Sequence, residues 1–228
     1  MAEDIVIQMP DGAPGQLFLL FHGVGSSAQA MAALGRRLGE AFPSSAVVSV
    51  SAPQVSDLGS GYQWFSVQGV TEDNRAGRVA AVLPLFLETV RGLQKAYGVS
   101  AAQTALVGSS QGAIMALAAT QVSSSASSAS SEVLAGRVIS LAGRFVSTPA
   151  FVSPETVVHL VHGERDSIVS CDYSVAGGVG LDALGGDFTV DVLPGVGHSV
   201  ADVMGEVVVE RLLSYIPRRI WDQAVSGG

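Results

Sequence analysis

The stretch QTALVGSSQGAIMALAAT, residues 103–120, passes from an apolar segment through a glycine- and serine-rich turn into a segment of helical composition. Its apolar start has the length of a buried β-strand, and residues 111–120 favour a helix. Between them, Gly108 and Gly112 lie two positions before and after Ser110. Such glycines permit a sharp strand-to-helix turn that exposes the hydroxyl between them. In a chain with 27 glycines this pattern is weak by itself, so its surroundings must decide.

Strand-like and helix-like segments alternate along the whole chain. Apolar segments of strand length occupy residues 16–22, 46–53, 103–108, 136–143, 156–163 and 187–195. Helical composition is found at residues 28–42, 71–97, 111–120 and 199–216. This alternation predicts an α/β fold with a mostly parallel sheet flanked by helices on both faces. Since no repeat or linker divides the chain, we expect a single domain over residues 1–228.

The clearest helix is predicted over residues 71–97. Its apolar side chains step by four and three and mark one face, at Val79, Leu83, Phe86, Val90, Leu93 and Tyr97. Thr71 or Asp73 can cap its start. Pro84 predicts a bend or a break in the helix.

Composition excludes several classes of function. A net charge of −8 and the absence of a basic run argue against nucleic-acid binding. No apolar run is long enough to span a membrane, and the acidic start of the chain does not resemble an export signal, so a cytoplasmic location is expected. The single cysteine, Cys171, cannot form an internal disulfide. The Ser- and Ala-rich tract at 123–131 is expected to be a surface loop or a frayed helix end.

A serine nucleophile needs a base, and the chain has four histidines from which to choose. A strand-to-helix turn of this type implies the chain order serine, acid, histidine. His22 precedes Ser110, whereas His159 lies inside an apolar strand and His162 leaves no room for an intervening acid. His198 lies in a glycine-rich loop between the last strand and the last helix, where an imidazole can reach the serine. We therefore predict His198 as the base.

The acid is expected after the penultimate strand, at the carboxyl end of the sheet. Asp166 lies there, three residues beyond Gly163. Glu164 competes from the same loop, and Asp191 is less suitable because it lies within a strand. The predicted task of Asp166 is to hold the tautomer of His198 and to stabilise the imidazolium.

An oxyanion also needs hydrogen-bond donors. The segment FHGVG, residues 21–25, follows the first strong strand, and the residue after the nucleophile supplies a second amide. The predicted donors are the backbone amides of Val24 and Gln111. Ser109 lacks the symmetric glycines and is assigned no nucleophilic role.

Several motifs together resemble the phospholipase/carboxylesterase branch of the α/β-hydrolases, which includes acyl-protein thioesterases and small bacterial carboxylesterases. The matching segments are FHGVG at 21–25, GSSQGA at 108–113, HGERDSIV at 162–169 and GVGHSV at 195–200. QWFSVQGVTEDNRAGRV, residues 63–79, and the terminal PRRIWDQAVSGG resemble the bacterial YpfH-like esterases. The resemblance covers nearly the whole chain and implies an α/β-hydrolase fold.

The resemblance also implies candidates for the acyl pocket. Trp64 and Phe65 correspond to a region that lines this pocket in the family, although both can equally be core aromatics under a loop. Ser109 departs from the family, which often has a bulky apolar residue before the nucleophile, and we expect it to alter packing more than chemistry.

We therefore expect a serine carboxylesterase that acts on small to medium acyl esters through an acyl-serine intermediate. Neither a metal nor an organic cofactor is expected. A thioesterase acting on acylated protein or acyl-CoA is an alternative, because its chemistry is the same. A catalytically silent binding protein on a hydrolase fold is a weaker one, because all three triad positions are filled. The residues leave open whether the protein is a monomer or a homodimer.

Overall fold

Strands form the centre of the molecule. The structure, a computed structural model, describes residues 3–122 and 133–226, so the Ser- and Ala-rich tract at 123–131 lies outside the described residues. The strands are β1 (Ile5–Gln8), β2 (Gln16–Phe21), β3 (Ser45–Val50), β4 (Gln54–Val55), β5 (Tyr62–Gln63), β6 (Thr104–Ser109), β7 (Arg137–Leu141), β8 (Val157–Gly163) and β9 (Asp187–Leu193).

One large sheet has the strand order β1-β3-β2-β6-β7-β8-β9. Only β1 runs antiparallel to its neighbour, and the other neighbouring pairs in this sheet are parallel. Every residue of β3, β6 and β8 is buried, as expected for strands that are covered on both faces. The predicted α/β fold with a mostly parallel sheet is confirmed. The short strands β4 and β5 form a separate hairpin.

Helices cover both faces of this sheet. They are α1 (Ala32–Ala41), α2 (Glu72–Tyr97), α3 (Gln111–Thr120), α4 (Asp172–Ala183), α5 (Asp202–Ser214) and α6 (Arg218–Ser226). One core cluster contains side chains of α2, α3 and α4, and the other contains side chains of α1 and α5. Within the described ranges, no helix is both long and apolar enough to cross a membrane.

Helix α2 agrees with its prediction at both ends, and its proline does not break it. Thr71 caps the start, since its side chain accepts from the Asn74 N–H while the Asn74 side chain accepts from the Thr71 N–H. The helix continues from Glu72 to Tyr97 through Pro84, so the predicted possibility of a break is wrong. Pro84 and Ala80 are both exposed, and water can therefore bind the carbonyl group that the proline leaves without a partner.

Helix α4 was not foreseen, because its sequence contains glycines that disfavour helices. In the structure these glycines permit close packing. A Cβ atom at Gly177 would lie 2.9 Å from the Phe145 ring, and one at Gly178 would lie 2.5 Å from Val190. The short strand β1 and the terminal helix α6 also escaped prediction. The carboxyl ends of the parallel strands meet at one edge of the sheet, and the predicted site residues lie along that edge.

Candidate active site

Ser110 lies in a strained turn between β6 and α3. Its backbone has a φ of 51° and a ψ of −113°, which is unusual for a residue with a side chain. The two flanking glycines allow neighbouring backbone segments to come closer than a side chain would permit. A Cβ atom at Gly108 would lie 2.4 Å from the backbone nitrogen of Ala113, and one at Gly112 would lie 2.3 Å from the carbonyl oxygen of Phe21. The helix can therefore start directly at the end of the strand, with the Ser110 hydroxyl at its amino end.

The structure brings Ser110, His198 and Asp166 together in one chain of hydrogen bonds. His198 Nε2 lies 2.9 Å from Ser110 Oγ, and its Nδ1 lies 2.7 Å from Asp166 Oδ2. Three different segments supply these groups: the turn after β6, the loop after β8 and the loop after β9. The arrangement can move a proton from the hydroxyl to the imidazole while the carboxylate holds the ring.

Asp166 is held as an ionised carboxylate. Its Oδ1 accepts hydrogen bonds from the backbone N–H groups of Ile168 and Val169, each 2.9 Å long. Burial raises the pKa of the Asp166 carboxyl, but hydrogen bonds from Val169, His198 and Ile168 outweigh that effect, so the pKa lies below its ordinary value. A carboxylate that stays ionised is suited to orienting an imidazole.

The two competing acids are engaged elsewhere. Glu164 is exposed, and its Oε2 accepts the backbone N–H of Gly195 at 3.1 Å. Asp191 forms a two-point ion pair with Arg211, with distances of 2.9 and 2.6 Å. His198 is bonded to Asp166 instead.

The predicted oxyanion donor at Val24 lies in a turn that a histidine holds. His22 is buried, its Nδ1 donates to the carbonyl oxygen of Gly23 at 2.8 Å, and its Nε2 accepts from the Ala52 N–H at 3.1 Å. In a trans peptide the C=O and the following N–H point in opposite directions, so this bond also fixes the direction of the Val24 N–H. A Cβ atom at Gly23 would lie 3.2 Å from the Cβ of Ser110, which shows how close this turn comes to the serine.

His22 was assigned no role from the sequence. Burial, the larger effect, lowers the pKa of its imidazole, and the hydrogen bond to Gly23 raises it less. A neutral ring with its hydrogen on Nδ1 fits both of its partners.

Gln111 contributes to the site through two different groups. It is the first residue of α3, and the N–H groups in the first turn of a helix have no acceptor within the helix. Its buried side chain accepts from the Trp64 N–H at 2.7 Å and donates to the Phe65 carbonyl at 2.8 Å. The residue after the serine therefore also fixes the backbone of the Trp-Phe segment.

The aromatic side chains of that segment are buried. Trp64 is 1% exposed and lies within the core, with ring centroids 5.0 Å from Phe86 and 6.2 Å from Phe21. An apolar cavity of about 270 Å³ lies between α2, the end of α3 and the loop after β7, with Val79, Leu83, Ala118 and Phe145 among its lining residues. Trp64 and Phe65 do not line it. Their part in an acyl pocket stays a prediction.

The two remaining histidines lie on β8, and both are fully buried. His159 lies in the core as expected, with its Nδ1 2.9 Å from Thr189 Oγ1. His162 is different, because its Nε2 lies 3.2 Å from Asp166 Oδ2. Its position in the sequence excludes it as the base and indicates no other role, although it stands four residues before the acid at the end of a strand. In residues 3–122 and 133–226, no three His, Cys, Asp or Glu side chains are grouped as a metal site would require.

Comparison with protein families gives a match over residues 2–214 to the family described as phospholipase/carboxylesterase. Comparison with individual proteins finds 42% identity to esterase YpfH of Escherichia coli K12, over 99% of this chain and 94% of that protein.

Solved structures agree with these matches. The crystal structure of esterase PE8 superposes with a TM-score of 0.77 at 26% identity, covering 91% of this chain and 97% of that one. A carboxylesterase of Bacillus cereus superposes with a TM-score of 0.73 at 16% identity, covering 92% of each chain. At that identity, the second match concerns the fold alone.

Proposed function

Since the chain belongs to the phospholipase/carboxylesterase family and is a carboxylic ester hydrolase, we propose that it cleaves small to medium acyl esters through an acyl-serine intermediate. The observation that carries this proposal is the continuous hydrogen-bond chain from Ser110 through His198 to Asp166. Its three members come from distant parts of the sequence, which favours a shared task over incidental contact. Identity of 42% to an esterase over nearly the full length supports the same activity.

In the first half of the reaction, Ser110 Oγ attacks the ester carbonyl carbon. His198 Nε2 lies at hydrogen-bond distance, accepts the hydroxyl proton and passes it to the oxygen of the departing alcohol. Asp166 keeps the proton of the ring on Nδ1, so that Nε2 is free to act as the base, and it stabilises the imidazolium that forms.

The tetrahedral intermediate carries its negative charge on the former carbonyl oxygen. We assign the backbone amides of Val24 and Gln111 as its donors. The turn that His22 holds lies close to Ser110, Gln111 is the first residue of α3, and the positive end of that helix favours developing negative charge.

In the second half, water replaces the alcohol. His198 takes a proton from that water, the hydroxide attacks the acyl carbon, and the proton returns to Ser110 as the carboxylic acid leaves. Each half of the reaction therefore uses the same imidazole, first as a base and then as an acid.

Labelling with a fluorophosphonate tests this assignment, because the reagent reacts with an activated serine. We expect the wild-type protein to take up one label and to hydrolyse an activated ester, and Ser110→Ala to do neither. The matched control is Ser109→Ala, which removes the neighbouring hydroxyl and is expected to label normally. If the wild-type protein takes up no label and cleaves no activated ester, the proposal is wrong. If only Ser109→Ala loses labelling, the nucleophile is Ser109 and not Ser110.

A further inference from the structure

A second imidazole lies behind the acid of the triad, where the mechanism above does not use it. His162, near the end of β8, is fully buried, and its Nε2 lies 3.2 Å from Asp166 Oδ2 and 2.9 Å from the Val169 carbonyl oxygen. Its Nδ1 lies 2.7 Å from the hydroxyl of Ser174 on α4. The carboxylate of Asp166 is therefore flanked by two imidazoles, of which only His198 contacts Ser110.

The neighbours of the His162 ring determine where its hydrogen lies. Both oxygens next to Nε2 are acceptors, one in an ionised carboxylate and one in a backbone carbonyl, so Nε2 must donate. In a neutral imidazole, Nδ1 is then an acceptor, and the Ser174 hydroxyl donates to it. The acceptors beside Nε2 therefore select the tautomer of His162, and the hydrogen bond with Ser174 fixes the orientation of its ring.

This ring connects three parts of the molecule. His162 belongs to β8, it donates to the turn that contains Asp166 and Val169, and it accepts from α4. The hydrogen bonds to Asp166 Oδ1, by contrast, come from N–H groups within its own turn. His162 adds to these local bonds a contact that reaches the strand and the next helix, since its Nε2 donates to the Val169 carbonyl oxygen and lies 3.2 Å from Asp166 Oδ2.

We propose that His162, held by Ser174, is a positioning residue that keeps the Asp166 carboxylate in the orientation that His198 needs during ester cleavage. This inference rests on the proposed function, since it concerns the acid of the same triad. It adds α4 to the elements on which turnover depends. A misplacement of about 1 Å at a reacting group can cost about 100-fold in rate, so a buried support for the acid has a measurable effect.

Three variants test the support directly. His162→Met removes both hydrogen bonds at similar volume and is expected to lower kcat by about 10- to 100-fold, with KM within about twofold. Ser174→Ala leaves the ring in place without its partner and is expected to lower kcat by about 3- to 10-fold. His162→Gln retains an N–H donor near the end of the side chain and is expected to restore part of the loss. The matched control is Ser170→Ala, whose hydroxyl bonds to exposed Asp172 and which is expected to keep kcat.

Combining His162→Met with a change at Asp166 distinguishes a purely structural role of His162 from a role in positioning the acid. If His162 acts through Asp166, His162→Met lowers kcat by less than about threefold in an Asp166→Asn background, because the acid it supports is already disabled. If His162 only holds the fold together, its full loss persists in that background, which overturns the proposal. The thermal unfolding transition of each variant gives its folded fraction, by which kcat is corrected.

Failure of this inference differs from failure of the proposed function. An inactive wild type, or activity that survives Ser110→Ala, refutes the proposed function. If the wild type is active through Ser110 but Ser174→Ala and His162→Gln both keep the wild-type kcat, only the role of His162 is overturned. Where His162→Met does not fold, the comparison of Ser174→Ala with Ser170→Ala decides, since only the former is expected to lose turnover.

Discussion

Two histidines on β8, three positions apart, lie in different surroundings: one in the core and one beside the proposed active site. His159 and His162 are both fully buried. Because side chains alternate across a strand, residues three apart point to opposite faces of the sheet. His159 lies edge-on to the ring of Tyr215, just beyond α5, with a centroid distance of 5.5 Å. His162 lies against Ser174 of α4 and reaches the carboxyl edge of the sheet at Asp166.

Burial alone therefore does not distinguish a core histidine from one that serves a site. The interior histidine is surrounded by packing groups, and its Nε2 has no hydrogen-bond partner among the described residues. The one at the strand end has partners on both ring nitrogens. We expect changes at the carboxyl edge to reduce turnover and changes inside the sheet to reduce stability, and four predictions test this division.

The largest effect is expected at the acid. Asp166→Asn preserves shape but replaces an acceptor by an amide that can no longer hold the His198 tautomer, so kcat is expected to fall by about 10⁴-fold with little change in KM. Steady-state hydrolysis of an activated ester measures this loss, and a urea unfolding curve checks the fold. A variant that keeps more than about a tenth of wild-type kcat would show that Asp166 is not the acid.

The next effect concerns stability and pH at His159. Burial, aided by the nearby Arg137, lowers the pKa of the His159 imidazole from 6.5 to about 4. Below pH 6.5 the unfolded chain binds a proton at this position that the folded protein excludes until about pH 4, so the free energy of unfolding decreases as the pH falls through this window. The decrease attributable to this one group is about 3 kcal/mol.

His159→Gln is expected to remove this dependence while keeping a partner for Thr189. Urea unfolding of both proteins between pH 7 and about pH 4 measures the difference between their curves. The kcat of His159→Gln at pH 7 is expected to equal that of the wild type, because the residue faces away from the site. Parallel stability curves, or a large loss of kcat, would contradict the assignment of His159 to the core.

Gln111 lies between the two categories, because its backbone borders Ser110 while its side chain holds Trp64 and Phe65. Gln111→Leu keeps the backbone amide but leaves a buried N–H and a buried C=O without partners. We expect a loss of about 1 to 3 kcal/mol in the free energy of unfolding, together with a smaller decrease in kcat/KM. Urea unfolding and ester kinetics measure the two effects, and a variant with wild-type values in both shows that the clamp is dispensable.

The smallest effect is expected at Glu164, in the same loop as the acid. Glu164→Gln retains an oxygen that can accept the Gly195 N–H and changes an exposed charge, so both kcat and the free energy of unfolding are expected to stay close to wild type, the latter within about 0.5 kcal/mol. It is the matched control for Asp166→Asn. If Glu164→Gln is the inactive variant of the two, the acid is misassigned.

Much of the fold and the site was predictable where local pattern and function coincide. The strand-to-helix turn at Ser110 is marked by its own glycines, and the strand before it and the helix after it have the predicted type. The expected chain order of serine, acid and histidine then leaves His198, of the four histidines, as the predicted base. Helix α4 could not be predicted from its sequence, because its glycines disfavour a helix locally. Packing against Phe145 and Val190 overrides that preference.

The sequence by itself determined the class of fold and brought Ser110, Asp166 and His198 to the same edge of a parallel sheet. These conclusions depend on the periodicity of apolar residues and on the positions where strands end, and both can be read from residues that are neighbours in the sequence. Only the tertiary structure decided that His162 lies beside the acid, that His22 orients an amide of the proposed oxyanion site and that Gln111 holds the Trp-Phe segment. Each of those contacts depends on how distant segments pack and on which way a buried side chain points, and no local pattern specifies either.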